Sequence, residues 1–357
     1  LSFEYLQKSG ISMEGEGKYV SIALGGLKNG VSPLQMTAAY APFVNEGVYL
    51  SPITYTQVLD VDGTVLLDKR KTESVKQEQN IVYAETTAYI MTNLLQSVTS
   101  SGGTASYVKL TDVNGNSIAT AGKTGTSEND VDRWFVGYTN DFVAAVWYGY
   151  DKNMTVELPS GARNPAADIW LKVMQGTYDR KKIEATDFEV PDGIVKKQIC
   201  IYSGKTPTEL CKRDPRGNAI RTEYFIKGTE PKGNDYCDVH VAAEIDIHSK
   251  DIYGRPLLAT EYTPRNEVEE RVFIQRKVPY MPKNPNDPYP LDWKYELPVE
   301  YSDRYTAPPV IPEQTGSPAS QDGQVDNPNR DSLDNESARE SGNNGIGNLL
   351  DRIGNAL

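Results

Sequence analysis

Between residues 117 and 150 three strand-like runs follow one another with little chain between them: SIATAGKTGTS, RWFVGYT and FVAAVWYGY. The second and third are joined through the dipeptide Asn140-Asp141. A connection that short permits an antiparallel hairpin, whereas a parallel crossover needs a dozen residues or more. A sheet of this kind must bury at least one face, and the flanking sequence offers helices to cover it. Ser32 before Pro33 reads as an N-cap with proline at the first helical position, and LQMTAAYAPFVNEG carries that helix on to Gly47. Residues 84–98 set Ile90, Met91, Leu94, Leu95 and Val98 at helical spacing. The run NPAADIWLKVMQGTYD does the same with Ile169, Leu171, Val173 and Met174. A further hairpin is expected in ITYTQVLDVDGTVLLD around Asp62-Gly63. Residues 1–180 therefore read as an α+β domain, an antiparallel sheet flanked by helices.

Past residue 188 the texture changes. Residues 189–275 hold all three cysteines, many turn residues and short apolar runs, which predicts a small, mostly β extension. Residues 278–357 begin proline-rich (VPYMPKNPNDPYPLDW) and pass into a Ser/Asn/Asp/Gly tract from about 313 to 345. That composition buries too little apolar surface to offset chain entropy, so disorder is expected there. The last residues place Ile346, Leu349, Leu350, Ile353 and Leu357 on one helical face. So short a segment is read as a frayed terminal turn ahead of a docking or membrane-surface helix.

The chain has 357 residues and a formal charge of −12, a balance that repels phosphate and argues against nucleic acid as a partner. No run reaches the roughly 18 apolar residues of a membrane span, and no signal peptide is legible. The opening LSFEYLQKSGIS reads as the middle of a helix, so the chain is expected to be a fragment of a longer one. With two histidines, His240 and His248, a histidine-based triad or a multi-histidine metal site is close to excluded.

The segment that carries chemistry is AGKTGTSENDVDRWFVGYT, residues 121–139. A lone K-T-G tripeptide is a weak signal and is usually an exposed strand end. On a strand, however, Lys123 supplies a fixed positive charge, and Gly125 lets a substrate backbone come close. The N–H beyond Gly125 could serve as an oxyanion donor in acyl transfer. By strand alternation Lys123 and Gly125 share one side and Thr124 and Thr126 the other.

Around that segment the chain resembles the penicillin-binding transpeptidase domain of class A, bifunctional peptidoglycan synthases. The matching stretches are ALGGLKNGVSPLQMTAAYAPFVNEGVYLSPI (23–53), GGTAS (102–106), AGKTGTS (121–127), WFVGYT (134–139), VWYGYD (146–151) and AADIWLKVM (166–174), in the family's order and spacing. The resemblance covers roughly residues 1–178. It implies the penicillin-recognising serine hydrolase fold with its N-terminal half missing. It also implies an acyl-serine mechanism that cross-links D-Ala-D-Ala stem peptides and is blocked by β-lactams. On this chain Lys123 and Thr126 would be catalytic, and Thr124, Gly125 and Thr126 would bind the substrate. Lys123 and the two threonine hydroxyls would hold its carboxylate, and the Thr126 N–H would form half of the oxyanion hole. A D,D-carboxypeptidase or β-lactamase on the same fold, or a non-catalytic wall scaffold, are the alternatives. The resemblance further implies a location on the extracellular face of the bacterial cytoplasmic membrane. The anchor and a glycosyltransferase domain would lie in the missing part, and the tail could contact the cell-wall machinery.

The family's other two motifs, S-x-x-K and S-x-N, have no convincing counterpart. Ser106-Tyr107-Val108-Lys109 ends 14 residues before Lys123, Ser127-Glu128-Asn129 abuts it, and Ser341-Gly342-Asn343 lies in the tail. None could converge on the cleft from a separate element, so all three are read as coincidental and the fragment as inert alone. No cofactor and no metal are expected. Cys200, Cys211, Cys237 and His240 are arithmetically a four-ligand zinc set, but the gap from Cys200 to Cys211 is unlike a usual finger. A Cys200–Cys211 bridge and free thiols are the other readings. Similar cysteine-bearing segments with a YFIKGTEP-like stretch follow the domain in some Gram-positive members, which favours the bridge. The aromatics Trp134, Phe135, Trp147, Tyr148 and Tyr150 are read as core, and Asp130 and Asp132 as solvated turn carboxylates.

Overall fold

A computed structural model describes residues 1–69, 77–278, 280 and 288–307, all within one unit, Leu1–Ala307. The expectations for the tract beyond 312 and for the terminal helical face lie outside the described residues.

The first helix, α1 (Ser2–Lys8), stops at Ser9, where Gly10 turns the chain at φ 78°. Helix α2 (Pro33–Tyr40) starts as the sequence predicts. The Ser32 side chain accepts from the Gln35 N–H, and Gln35 returns the bond to the Ser32 N–H. It does not run on to Gly47. Pro42 lacks an N–H and disfavours a helical residue before it, so Ala41–Phe43 tighten into a single 3-10 turn. Gly47 instead turns the chain into strand β1 (Val48–Leu50).

The expected hairpin forms from β2 (Gln57–Leu59) and β3 (Val65–Asp68), with Gly63 at φ 83° in the turn. Strand β4 (Gln79–Ile81) pairs with β1 and leads into helix α3 (Glu85–Thr99). The central sheet has the order β5 (Ala121–Thr126), β6 (Asp132–Tyr138), β7 (Val143–Gly149), antiparallel throughout. Helix α4 (Pro165–Lys181) follows, capped by the Asn164 side chain on the Ala166 N–H.

Strand alternation sorts β6 between two cores. Phe135 faces α4, where it meets Trp170 edge-on at 5.2 Å, among Val108, Leu110, Met174 and Tyr178. Tyr138 faces the other way and joins Tyr89 and Leu95 of α3, Ala121 of β5 and Phe188. Gly137 is required where α4 crosses. A Cβ there would sit 2.8 Å from Cζ2 of Trp170, whose Nε1 donates to the Gly137 carbonyl.

The predicted faces hold in part: Leu95 and Met174 are buried and Val98 and Leu171 pack against the core. On α3 the buried residues are Ala88, Tyr89, Thr92, Leu95 and Thr99, while Met91 and Leu94 are exposed. On α4 they are Ala166, Ala167, Trp170, Met174 and Tyr178, while Ile169 and Val173 are exposed. Of the aromatics read as core, Phe135 is fully buried, but Tyr148 and Tyr150 are 40% and 52% exposed.

Beyond α4, strand β8 (Ile194–Cys200) pairs with β9 (Ile220–Ile226) across a loop carrying the single-turn α5 (Glu209–Lys212). A second sheet has the order β11 (Pro256–Leu258), β10 (His240–Lys250), β12 (Val268–Ile274). The β8–β9 hairpin docks on α3 through Tyr224, edge-on to Tyr89 at 5.5 Å. No helix among the described residues is long and apolar enough to cross a membrane.

Candidate functional site

Strand β5 carries Lys123, Thr124, Gly125 and Thr126 along the edge of the central sheet. Among the described residues it has a strand partner, β6, on one side only. Its first two residues, Ala121 and Gly122, are buried, whereas Lys123 and Thr126 are exposed and Thr124 and Gly125 half-buried. The outer two-thirds of the strand is therefore open to a ligand, and the inner third anchors it.

The Lys123 ammonium donates to the Thr124 carbonyl at 2.8 Å, which lays its charge along the strand. Thr124 Oγ1 lies 3.1 Å from Thr104 Oγ1, so a hydroxyl from the loop after α3 adjoins the site. Thr104 was not singled out from sequence; its place in GGTAS was the available signal. Gly125 has a local packing reason as well, since a Cβ there would sit 3.0 Å from that of Trp134 on β6.

The strand is held from behind. Thr99 donates to the Thr120 carbonyl at 2.7 Å, tying the end of α3 to the entry of β5. At the far end Ser127 closes the β5–β6 turn, its N–H donating to the Asp132 carbonyl and its Oγ accepting from the Asp132 N–H at 2.8 Å. Asn129 and Asp130 complete that turn at φ 57° and 56°. Asp130 pairs with Arg133 at 3.0 Å, and Asp132 is bonded rather than merely solvated, accepting from Trp147 Nε1 at 2.8 Å.

Residues of two of the other motif matches do structural work. Lys109 donates to the Thr99 carbonyl at 2.6 Å and so caps the end of α3, while Ser127 and Asn129 are the turn itself. Ser341-Gly342-Asn343 lies outside the described residues. No disulfide joins the three cysteines, so the Cys200–Cys211 bridge, one of the readings left open by the sequence, is not formed.

Comparison with known proteins identifies the family. The family model described as "Penicillin binding protein transpeptidase domain" matches residues 6–175. The one described as "Penicillin-binding protein 1A, C-terminal domain" matches residues 190–242. Penicillin-binding protein 1A of Clostridium botulinum is 35% identical over 277 residues, 77% of this chain and 31% of that protein. Its counterpart in Clostridium novyi is 33% identical over 276 residues, 77% of this chain and 29% of that protein. The chain thus spans about a third of the curated relatives it matches. Among solved structures, penicillin-binding protein 1A of Haemophilus influenzae shares the fold at a TM-score of 0.50 and 24% identity, over 64% of this chain and 36% of that one. The chain belongs to the class A penicillin-binding proteins, within the serine-type D,D-transpeptidase family.

Proposed function

We propose that this chain contributes one wall of a D,D-transpeptidase cleft, built on the outer part of β5, within a peptidoglycan synthase that works outside the cytoplasmic membrane. The observation that supports the reading is an edge strand offering an exposed lysine, two threonine hydroxyls and a glycine on a rigidly backed end. Lys123 supplies the positive charge that holds the C-terminal carboxylate of a D-Ala-D-Ala stem peptide, and the Thr124 and Thr126 hydroxyls hydrogen-bond that carboxylate. The Thr126 N–H donates to the oxygen that becomes negative in the tetrahedral intermediate, where a preorganised dipole has most effect.

The chemistry is acyl transfer in two displacements. A serine oxygen attacks the carbonyl carbon of the penultimate D-alanine, the amide C–N bond breaks, and the terminal D-alanine leaves with the proton on its amine. The amine of a neighbouring stem then attacks the ester, the C–O bond breaks, and the serine recovers its proton. With Lys109 capping α3 and Ser127 closing the β5–β6 turn, the attacking serine is assigned to a part of the transpeptidase domain that this chain does not span.

Labelling with a fluorescent penicillin, read on a denaturing gel, tests the reading. The full-length protein should label, this chain alone should not, and Lys123→Ala in the full-length protein should slow labelling by on the order of a hundredfold. Label on this chain alone would move the nucleophile to Ser106. Labelling of Lys123→Ala at the wild-type rate would remove β5 from the site.

A further inference from the structure

Three loops of the C-terminal extension converge on one point. Cys200 ends β8, Cys211 lies in α5, Cys237 sits just before β10, and His240 opens β10. The three sulfurs and a ring nitrogen of His240 all lie within 4.8 Å of one another. Cys200 and Cys211 are fully buried, His240 is 3% exposed and Cys237 is half-buried. His240 Nδ1 is 3.6 Å from Cys200 Sγ and 3.3 Å from Cys237 Sγ.

Those separations match what a zinc ligand set requires. A tetrahedral zinc with Zn–S of about 2.3 Å and Zn–N of about 2.0–2.1 Å places a nitrogen ligand about 3.6 Å from each sulfur. The surroundings are those of a ligand set as well. His240 Nε2 faces the buried Asp214 carboxylate at 2.5 Å, which fixes the proton on Nε2 and turns the Nδ1 lone pair to the sulfurs. Asp214 is itself clamped by Arg216 through two bonds, at 3.0 and 2.7 Å, and the guanidinium lies 3.6 Å over the Tyr202 ring. The Thr208 N–H points at Cys211 Sγ at 3.3 Å, and the Ser203 side chain with the backbone N–H groups of Val239 and His240 bonds Cys237.

The local core is also too small without a staple. Its fully buried members are Cys200, Cys211 and Ala219, with Ile220 and Cys237 against them, and so small a centre is ordinarily closed by disulfides or metal. One disulfide would use two of the sulfurs and strand the third beside His240. We infer that Cys200, Cys211, Cys237 and His240 bind a structural zinc ion, with Asp214 as the outer partner that orients the histidine. This departs from the sequence expectation of no metal. The long Cys200–Cys211 gap is no obstacle, because the β8–β9 loop doubles back and α5 returns Cys211 to the end of β8. Each thiol gives its proton to solvent on binding, and His240 donates its neutral Nδ1. The ion would tie the β8–β9 hairpin to the β10 sheet.

The test is independent of acylation and uses the intact chain purified without added metal. Metal analysis should find about one zinc per chain, and cobalt(II) exchanged into the site should give tetrahedral d–d bands with sulfur-to-cobalt charge transfer. All three thiols should resist alkylation until a chelator is added, and the thermal midpoint should fall with the chelator and recover with zinc sulfate. Asp214→Asn, which leaves every ligand in place, should weaken zinc binding by about 10–100-fold. Should that variant not fold, the thiol-protection result on the unaltered chain decides alone. A folded chain that takes up neither zinc nor cobalt overturns the inference, as does a Cys200–Cys211 disulfide found on mapping protein alkylated before denaturation.

Discussion

Thr92 occupies a position that hydropathy alone would give to leucine. Its hydroxyl donates to the Phe43 carbonyl at 2.9 Å and, since that carbonyl can only accept, receives the Tyr138 hydroxyl proton at 3.0 Å. One buried threonine thus satisfies the 3-10 turn after α2 and the inner end of β6. Replacing it by valine keeps the shape and leaves that carbonyl without its donor and Tyr138 without its acceptor. The expected cost is about 1–3 kcal/mol, read as a lowered urea midpoint. Tyr138→Phe, which removes a donor and leaves no orphaned carbonyl, should cost less. Equal midpoints for Thr92→Val and the unaltered chain would mean that the pair is not formed.

At the scale of elements, the Tyr89–Tyr224 contact helps to join the β8–β9 hairpin to α3, alongside Ile194. A double-mutant cycle on this pair should give a coupling of about 0.5–1.5 kcal/mol in unfolding free energy. Additive single mutants would show the hairpin to be undocked. Such contacts mark where the sequence could be read and where it could not. The hairpins and the start of α2 were legible because Asp62-Gly63, Asn140-Asp141 and Ser32-Pro33 act through local backbone chemistry. The end of α2 was misread because Pro42 was passed over inside an apolar run. On α3 and α4 Leu95 and Met174 were placed correctly, but Met91, Leu94, Ile169 and Val173 were not, because much of the burial belongs to Thr92, Thr99, Trp170 and Tyr178. Their polar atoms have partners supplied only by the assembled fold. The K-T-G strand was legible as a motif, whereas its neighbour Thr104 and the Asp214–His240 pair come together only in three dimensions.

Across the whole described unit, two carboxylates stitch together segments far apart in sequence. Asp112 accepts from the Ala185 N–H, 73 residues away, and that bond with those from the Asn116 backbone and side chain holds its pKa at about 2. Asp246 is opposed by its burial, yet bonds from Ser302, the His248 N–H and Ser249, with Arg304 beside it, also bring it to about 2. Both folded values lie below the ordinary 3.8. The ionised forms therefore favour folding fully above about pH 4, and that contribution drains away as pH falls toward 2. The urea midpoint should hold steady down to about pH 4 and then drop, with Asp112→Asn and Asp246→Asn each flattening the acid limb. An acid limb as steep in both variants as in the unaltered chain would place the titration elsewhere.

Helix α3 links the extension to the K-T-G strand. Tyr89, Ala121 and Tyr138 share one buried cluster, and Ile194 and Tyr224 of the hairpin rest on it. The same helix, through Thr99 in its last turn, grips the entry of the K-T-G strand. The extension therefore braces that strand from behind, so loosening the hairpin should loosen the entry of β5 as well.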